Sequence, residues 1–149
     1  ADLGAGTGYF LGFLAAAVGG EGAVIGLDVD SELIDFMNQR AELEGWDNVE
    51  ARQVATDDPG LESGSVDRVL TVNTWHHISN REAYAGRLAE ALVEGGAIYV
   101  VDFTRESPHG PPENHRLTPE QVISELEAGG LEAELIEEEL PYQYVIVAK

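Results

Sequence analysis

The chain has 149 residues, enough for one domain with a substantial core, and its 28 Asp and Glu against 8 Lys and Arg leave a formal net charge of −20. A surface that negative repels nucleic-acid phosphates and acidic lipid, so DNA, RNA and membranes are poor partners. The absence of cysteine excludes disulfide and thiolate chemistry, and no apolar run approaches the roughly 20 residues of a membrane span.

No basic-then-apolar leader opens the chain, and a cytoplasmic location is the expectation. Self-repulsion at this charge is relieved by salt. A salt-adapted, halophilic protein is therefore expected alongside a merely acidic enzyme. The sequence starts at Ala1-Asp2-Leu3 and runs straight into glycines. This reads as a piece of a longer protein, a single domain over 1–149 whose first strand is truncated and whose N-terminal segment is missing.

In chain order, the loop Gly4 to Gly8 leads into a helical stretch from Tyr9 to Val18 that Gly19-Gly20 end. Ala23 to Leu27 is a short buried strand. Asp30 or Ser31 caps a helix running to about Glu44, where Gly45 supplies the stop. Val49 to Val54 reads as a third strand, Asp57 to Gly60 as a turn and Val66 to Val72 as a fourth strand. Ser79 or Asn80 is expected to cap a helix of about four turns that stops at Gly95-Gly96. Ala97 to Val101 is a fifth strand, rich in β-branched and aromatic residues.

A proline- and glycine-punctuated loop follows from Thr104 to Leu117, the expected lid or acceptor selector. Thr118-Pro119-Glu120-Gln121 has capping-box spacing with proline at the first helical position, so a helix starts there and ends at Gly129-Gly130. Leu131 to Leu140 and Tyr142 to Ala148 read as two strands joined near Pro141, and so short a link demands an antiparallel hairpin. Glu137-Glu138-Glu139 reads as a solvated edge. The alternation of strand and helix predicts an α/β fold: a Rossmann-like, mostly parallel seven-stranded sheet flanked by helices, with an antiparallel last strand. Ligands of such sheets bind beyond the carboxyl ends of the strands. That rim collects the glycine loop, Asp28, the Asp57-Asp58 turn, Asn73 to His77, and Asp102.

Two features on this rim gain meaning together. Glycines in Asp2-Leu3-Gly4-Ala5-Gly6-Thr7-Gly8 let the backbone pass beneath a ligand, and the helix after them directs free N–H groups at it. Asp28 ends the next strand, where a carboxylate can accept both ribose hydroxyls of a nucleoside. The dinucleotide fingerprint would have its third glycine where Tyr9 stands, which opposes NAD and FAD.

Asp2 to Gly8 resembles the first motif of class I S-adenosylmethionine-dependent methyltransferases, and Val24 to Asp30 resembles their second. Ser65 to Leu70 is similar to the opening of their fourth strand, and Asn73 to Ile78 to the segment after it. Leu92-Val93-Glu94-Gly95-Gly96 stands where the family has a Leu-x-Pro-Gly-Gly turn. The resemblance implies a small-molecule methyltransferase with S-adenosylmethionine as cofactor. It implies that Gly4 and Gly6 approach the methionine half, Asp2 orients the ammonium, and Asp28 takes the ribose hydroxyls. Thr56 and Asp57 fall near the adenine-contacting position, and Asn73 where a backbone carbonyl meets the methionine amine.

A methylsulfonium carries its own driving force, so alignment and exclusion of water are the protein's main tasks. A base helps where the acceptor must lose a proton; of the neighbours His76 and His77, the second is the preferred candidate. Trp75, Tyr142 and Tyr144 are expected to pack, His109 and His115 to face solvent, and no metal is expected. The alternatives are an NAD(P)-dependent oxidoreductase and a non-catalytic S-adenosylmethionine-binding or interaction domain.

Overall fold

A computed structural model describes residues 1–149. The chain divides into two compact units, Ala1–Ala55 and Thr56–Lys149.

The first unit holds β1 (Asp2–Leu3), α1 (Leu11–Val18), β2 (Val24–Asp28), α2 (Ser31–Glu44) and β3 (Val49–Gln53). β2 is the central strand, paired in parallel with β1 through Asp2↔Gly26 and Leu3↔Leu27, and with β3 from Val24↔Val49 to Asp28↔Gln53. Leu11, Ala15, Val24, Ile34, Met37 and Ala51 form its buried core, with Trp46 packed against them. Gly26 brings the strand up to the helices: a Cβ there would lie 3.2 Å from Leu11 and 3.3 Å from Met37. α2 starts where Asp30 accepts a hydrogen bond from the Glu32 N–H, and it ends at Gly45 in the left-handed conformation, both as expected. α1 begins two residues later than expected, because Tyr9 and Phe10 still belong to the turn closing the glycine loop.

The second unit holds β4 (Val66–Val72), α3 (Arg81–Ala91), β5 (Leu92–Phe103), α4 (Pro119–Ala128), β6 (Ala133–Ile136) and β7 (Gln143–Ala148). Its strand order is β4-β5-β7-β6. β4 and β5 run parallel, whereas β7 runs antiparallel to β5 and to β6. Seven strands, parallel except along β7, with helices between them, make the Rossmann-like architecture that the alternation predicts.

The second unit also departs from expectation. α3 stops at Ala91, not at Gly95-Gly96, and the chain passes straight into β5. The register jumps from Val66↔Leu92 to Arg68↔Ala97, so Val93 to Gly96 bulge out of the ladder. Gly95, at φ 77°, supplies the backbone freedom for that bulge rather than a helix stop. At the other end of α3, Asn80 adopts a left-handed conformation and its side chain caps nothing. The terminal strands are shorter than predicted because Glu137 to Tyr142 are exposed and leave the ladder. The predicted start of α4 holds: Thr118 Oγ1 accepts from the Gln121 N–H at 3.3 Å, with Pro119 at the first position.

Candidate active site

In the first unit the glycine loop is built from backbone hydrogen bonds. The N–H groups of Gly4 and Ala5 both donate to the Leu27 carbonyl, at 2.8 and 3.0 Å, and Gly8 N–H donates to Ala5 at 2.8 Å. Gly4, Gly6 and Gly8 all have positive φ, 72°, 56° and 72°. They differ in what surrounds them. A Cβ at Gly6 would meet nothing within 4 Å, so this position faces open space. At Gly8 it would lie 2.8 Å from Leu11 and 3.0 Å from Met37, so packing as well as conformation demands glycine.

Asp28 closes over the loop. Its Oδ2 accepts the Gly6 N–H at 2.9 Å and its Oδ1 accepts the Asp30 N–H at 3.1 Å. Each carboxylate oxygen retains a second lone-pair site. Asp2 is 2% exposed, and its Oδ2 has no hydrogen-bond partner. Burial pushes its carboxyl up from 3.8 to about 6, and the negative charge of Asp28 acts in the same direction. Four residues expected at the site, Asp2, Gly4, Gly6 and Asp28, are thus gathered on β1, β2 and the loop between. Arg40 was not foreseen. Its Nη1 donates to the carbonyls of Thr7 and Gly8, both at 3.2 Å, while its guanidinium lies 5.1 Å over the Trp46 ring. A lone arginine in an otherwise uncharged or acidic helix was the available signal.

The remaining expected residues belong to the second unit. Thr56 and Asp57 lie in an exposed turn, while Asp58 pairs with Arg87 and accepts the Gly60 N–H at 2.8 Å. Asn73, at the carboxyl end of β4, is held at φ 55°, a conformation uncommon for a residue with a side chain. Its N–H donates to Val101 at 2.8 Å and its Oδ1 accepts from Gln143 Nε2 at 2.7 Å.

Trp75 to His77 form a short 3₁₀ turn. Trp75 is fully buried, consistent with packing, and its Nε1 donates to Glu125 Oε2 at 3.0 Å. The same oxygen accepts from Arg81 Nε at 2.8 Å, and Oε1 accepts from Gln121 Nε2 at 3.2 Å. The two histidines diverge. His77 is exposed. His76 turns inward, its Nδ1 2.8 Å from Asp102 Oδ1 and its backbone N–H donating to Oδ2 at 3.2 Å. Phe103 N–H also donates to Oδ1, at 2.8 Å. The sequence places Asp102 at the end of β5 but does not reveal which histidine it meets.

The 104–117 loop is knitted around Arg116. That guanidinium donates to the carbonyls of Pro111, Thr104, Arg105, Ser107 and His109 over 2.6 to 3.3 Å. Ser107 is buried, its hydroxyl donating to the His109 carbonyl at 3.0 Å. His109 and His115 are exposed, and Tyr144 is buried with its hydroxyl donating to Leu117 at 3.3 Å. Tyr142 is exposed instead of packed, its ring centroid 5.9 Å from that of His109 and the two rings nearly perpendicular.

With this geometry in place, the methyltransferase domain family model matches residues 1–96. The chain belongs to that family. The methyltransferase domain is also 33% identical over 100 residues to an uncharacterized 37.1 kDa protein in transposon TN4556 of Streptomyces fradiae, which covers 65% of this chain and 28% of that protein. The chain thus spans less than a third of that relative's length. Among solved structures it superposes on a SAM-dependent methyltransferase from Aquifex aeolicus with a TM-score of 0.91 at 24% identity, covering 99% of this chain and 79% of that one. The PH0226 protein from Pyrococcus horikoshii OT3 gives 0.81 at 16% identity, with coverage of 99% and 79%. The trans-methyltransferase CalH, solved in complex with SAH, gives 0.75 at 18% identity, with coverage of 99% and 50%. At these identities the three likenesses concern the fold. No helix of the methyltransferase domain is long and apolar enough to cross a membrane.

Proposed function

We propose that residues 1–149 act as one catalytic domain that transfers a methyl group from S-adenosylmethionine to a small-molecule acceptor by in-line displacement. The observation that carries this reading is the pair of acidic residues around the glycine loop. Asp2 keeps one buried carboxylate oxygen without a partner, a site suited to the ammonium of an amino-acid ligand. Asp28 has one oxygen on the Gly6 N–H and the other on the Asp30 N–H, each with a lone pair left for a ribose hydroxyl. Gly6 presents backbone to open space.

In this reading Gly4 and Gly6 line the methionine half, Thr56 and Asp57 meet the adenine, and the Asn73 carbonyl meets the amine. When bound, the cofactor supplies an electrophilic methyl and a neutral leaving group. The chain's part is to hold the nucleophile in line and exclude water, which is worth about 7–11 kcal/mol in favourable cases. A net charge of −20 favours small acceptors over nucleic acid.

Replacing Asp28 by alanine removes the ribose acceptor and the tie to Gly6. Calorimetry should then show S-adenosylhomocysteine binding weakened by about tenfold or more, the loss of one or two charge-assisted hydrogen bonds. Unchanged affinity contradicts the assignment. NAD and NADP should leave the melting temperature unmoved.

A further inference from the structure

We propose that Arg40 is a positioning residue for the cofactor: from α2 it holds the outgoing half of the glycine loop, and so keeps the loop in the shape that receives the methionine half of S-adenosylmethionine. The inference rests on the methyl-transfer reading above and adds to it a residue that acts on the ligand through the loop.

Three observations on the first unit carry it. First, the two halves of the loop are tied by different means. The incoming half hangs on β2, through the Gly4 and Ala5 N–H groups on the Leu27 carbonyl and the Gly6 N–H on the Asp28 carboxylate. Beyond Gly6, the Gly8 N–H returns to Ala5 inside the loop, and the Leu11 N–H reaches the Gly8 carbonyl at 3.3 Å. The tie from this half to α2 is Arg40, whose Nη1 donates to the Thr7 and Gly8 carbonyls at 3.2 Å each.

Second, a trans peptide unit is planar, so holding its carbonyl fixes the whole unit. One guanidinium nitrogen on two successive carbonyls therefore fixes the peptide planes on both sides of Gly8. Gly6 and Gly8 stand at φ 56° and 72°. Glycine leaves that region as readily as it enters it, so a loop built on glycines gains its single shape from outside restraints.

Third, Arg40 is itself held. Gly45 and Trp46 close α2 with the paired bonds of a Schellman motif: the Gly45 N–H donates to Glu42 at 3.3 Å and the Trp46 N–H to Ala41 at 2.9 Å. That turn folds Trp46 back. Its ring lies against Gly12 of α1, where a Cβ would be 2.5 Å from Cζ2, and it carries the Arg40 guanidinium 5.1 Å over its centroid. A stacked guanidinium keeps its N–H groups in the plane, free for acceptors at the edge. Covering Trp46 alone would not require Nη1 to meet two loop carbonyls.

A loop that visits other shapes binds ligand only during the fraction of time it holds the competent one, and apparent affinity falls by that fraction. Arg40→Met keeps an unbranched side chain over Trp46 and removes every donor. Calorimetry on the full chain should show S-adenosylhomocysteine bound about tenfold more weakly by this variant. 5′-Methylthioadenosine has the nucleoside and thioether but no amino-acid half, so it should lose no more than about twofold. The melting temperature of the ligand-free variant should stay close to that of wild type. Should Arg40→Met fail to fold, Arg40→Lys, which keeps the charge but has no planar fork, carries the same comparison. Unchanged S-adenosylhomocysteine affinity in the folded variant overturns the proposal. Equal losses for the two ligands, accompanied by a fall in melting temperature, overturn it too, because Arg40 would then serve only the fold. A wild-type chain that binds no S-adenosylhomocysteine overturns the methyl-transfer reading and this proposal with it, whereas wild-type binding without loss in the variant overturns this proposal alone.

Discussion

The glycine loop and the histidine turn are assembled in different ways. The loop, in the first unit, is shaped by its own backbone: three positive-φ glycines, two N–H groups on the Leu27 carbonyl, and one on the Asp28 carboxylate. The turn, in the second unit, is shaped by side chains that come from far along the chain. Asp102 reaches His76 across 26 residues, Glu125 reaches Trp75 across 50, and Gln143 reaches Asn73 across 70. Backbone conformation and backbone donors therefore govern the first region, and polar contacts between side chains the second. The first should stay folded through side-chain changes outside its acids and glycines, while the second should fail when a single partner is removed.

The sharpest way to break this contrast is at Trp75. Truncation to alanine empties a fully buried site and removes a donor from Glu125, so a loss of about 3–5 kcal/mol is expected in urea unfolding. A loss below about 1 kcal/mol would mean the turn does not depend on that network.

Asp2 gives a smaller, pH-dependent effect. Its folded pKa of about 6 lies above the 3.8 of an ordinary aspartate, so the folded state binds the extra proton. Stability from this group is fully present below pH 4 and is lost as pH rises through 6, about 3 kcal/mol in all. Asp2→Asn should unfold at higher urea than wild type at pH 7.5, with the advantage gone at pH 4. In wild type, an ammonium-bearing ligand should bind more tightly as pH rises from 5 to 7.

Smallest is the comparison within the loop. Alanine at Gly6 has open space and incurs only the left-handed penalty, about 1–2 kcal/mol. Alanine at Gly8 adds a clash with Leu11 and Met37, so its melting temperature should fall further. Equal losses would show that conformation alone selects both glycines.

Much of the first region was legible because its signals are local. Gly4-Ala5-Gly6-Thr7-Gly8 and the Asp28 strand end carry their backbone demands in consecutive residues, as do the Asp30 and Thr118 caps. The strand and helix order was legible for the same reason, since hydrophobic period is a local property. The early end of α3 was not. Glycines at 95 and 96 look like a helix stop, but pairing of Leu92 with Val66 makes the strand begin before them. Arg40 and Arg116 were also hidden, because both bind carbonyls, and any carbonyl in a sequence looks like every other.

By itself, then, the sequence determined the α/β alternation, the cradle at Gly4 to Gly8 and the acids flanking it, because those depend on backbone conformation and short-range spacing. Only the tertiary structure decided which of two adjacent histidines turns toward Asp102 and that Arg116 binds the 104–117 loop to itself. Those outcomes depend on which side chains the packed strands bring within hydrogen-bond distance, and no spacing along the chain encodes that.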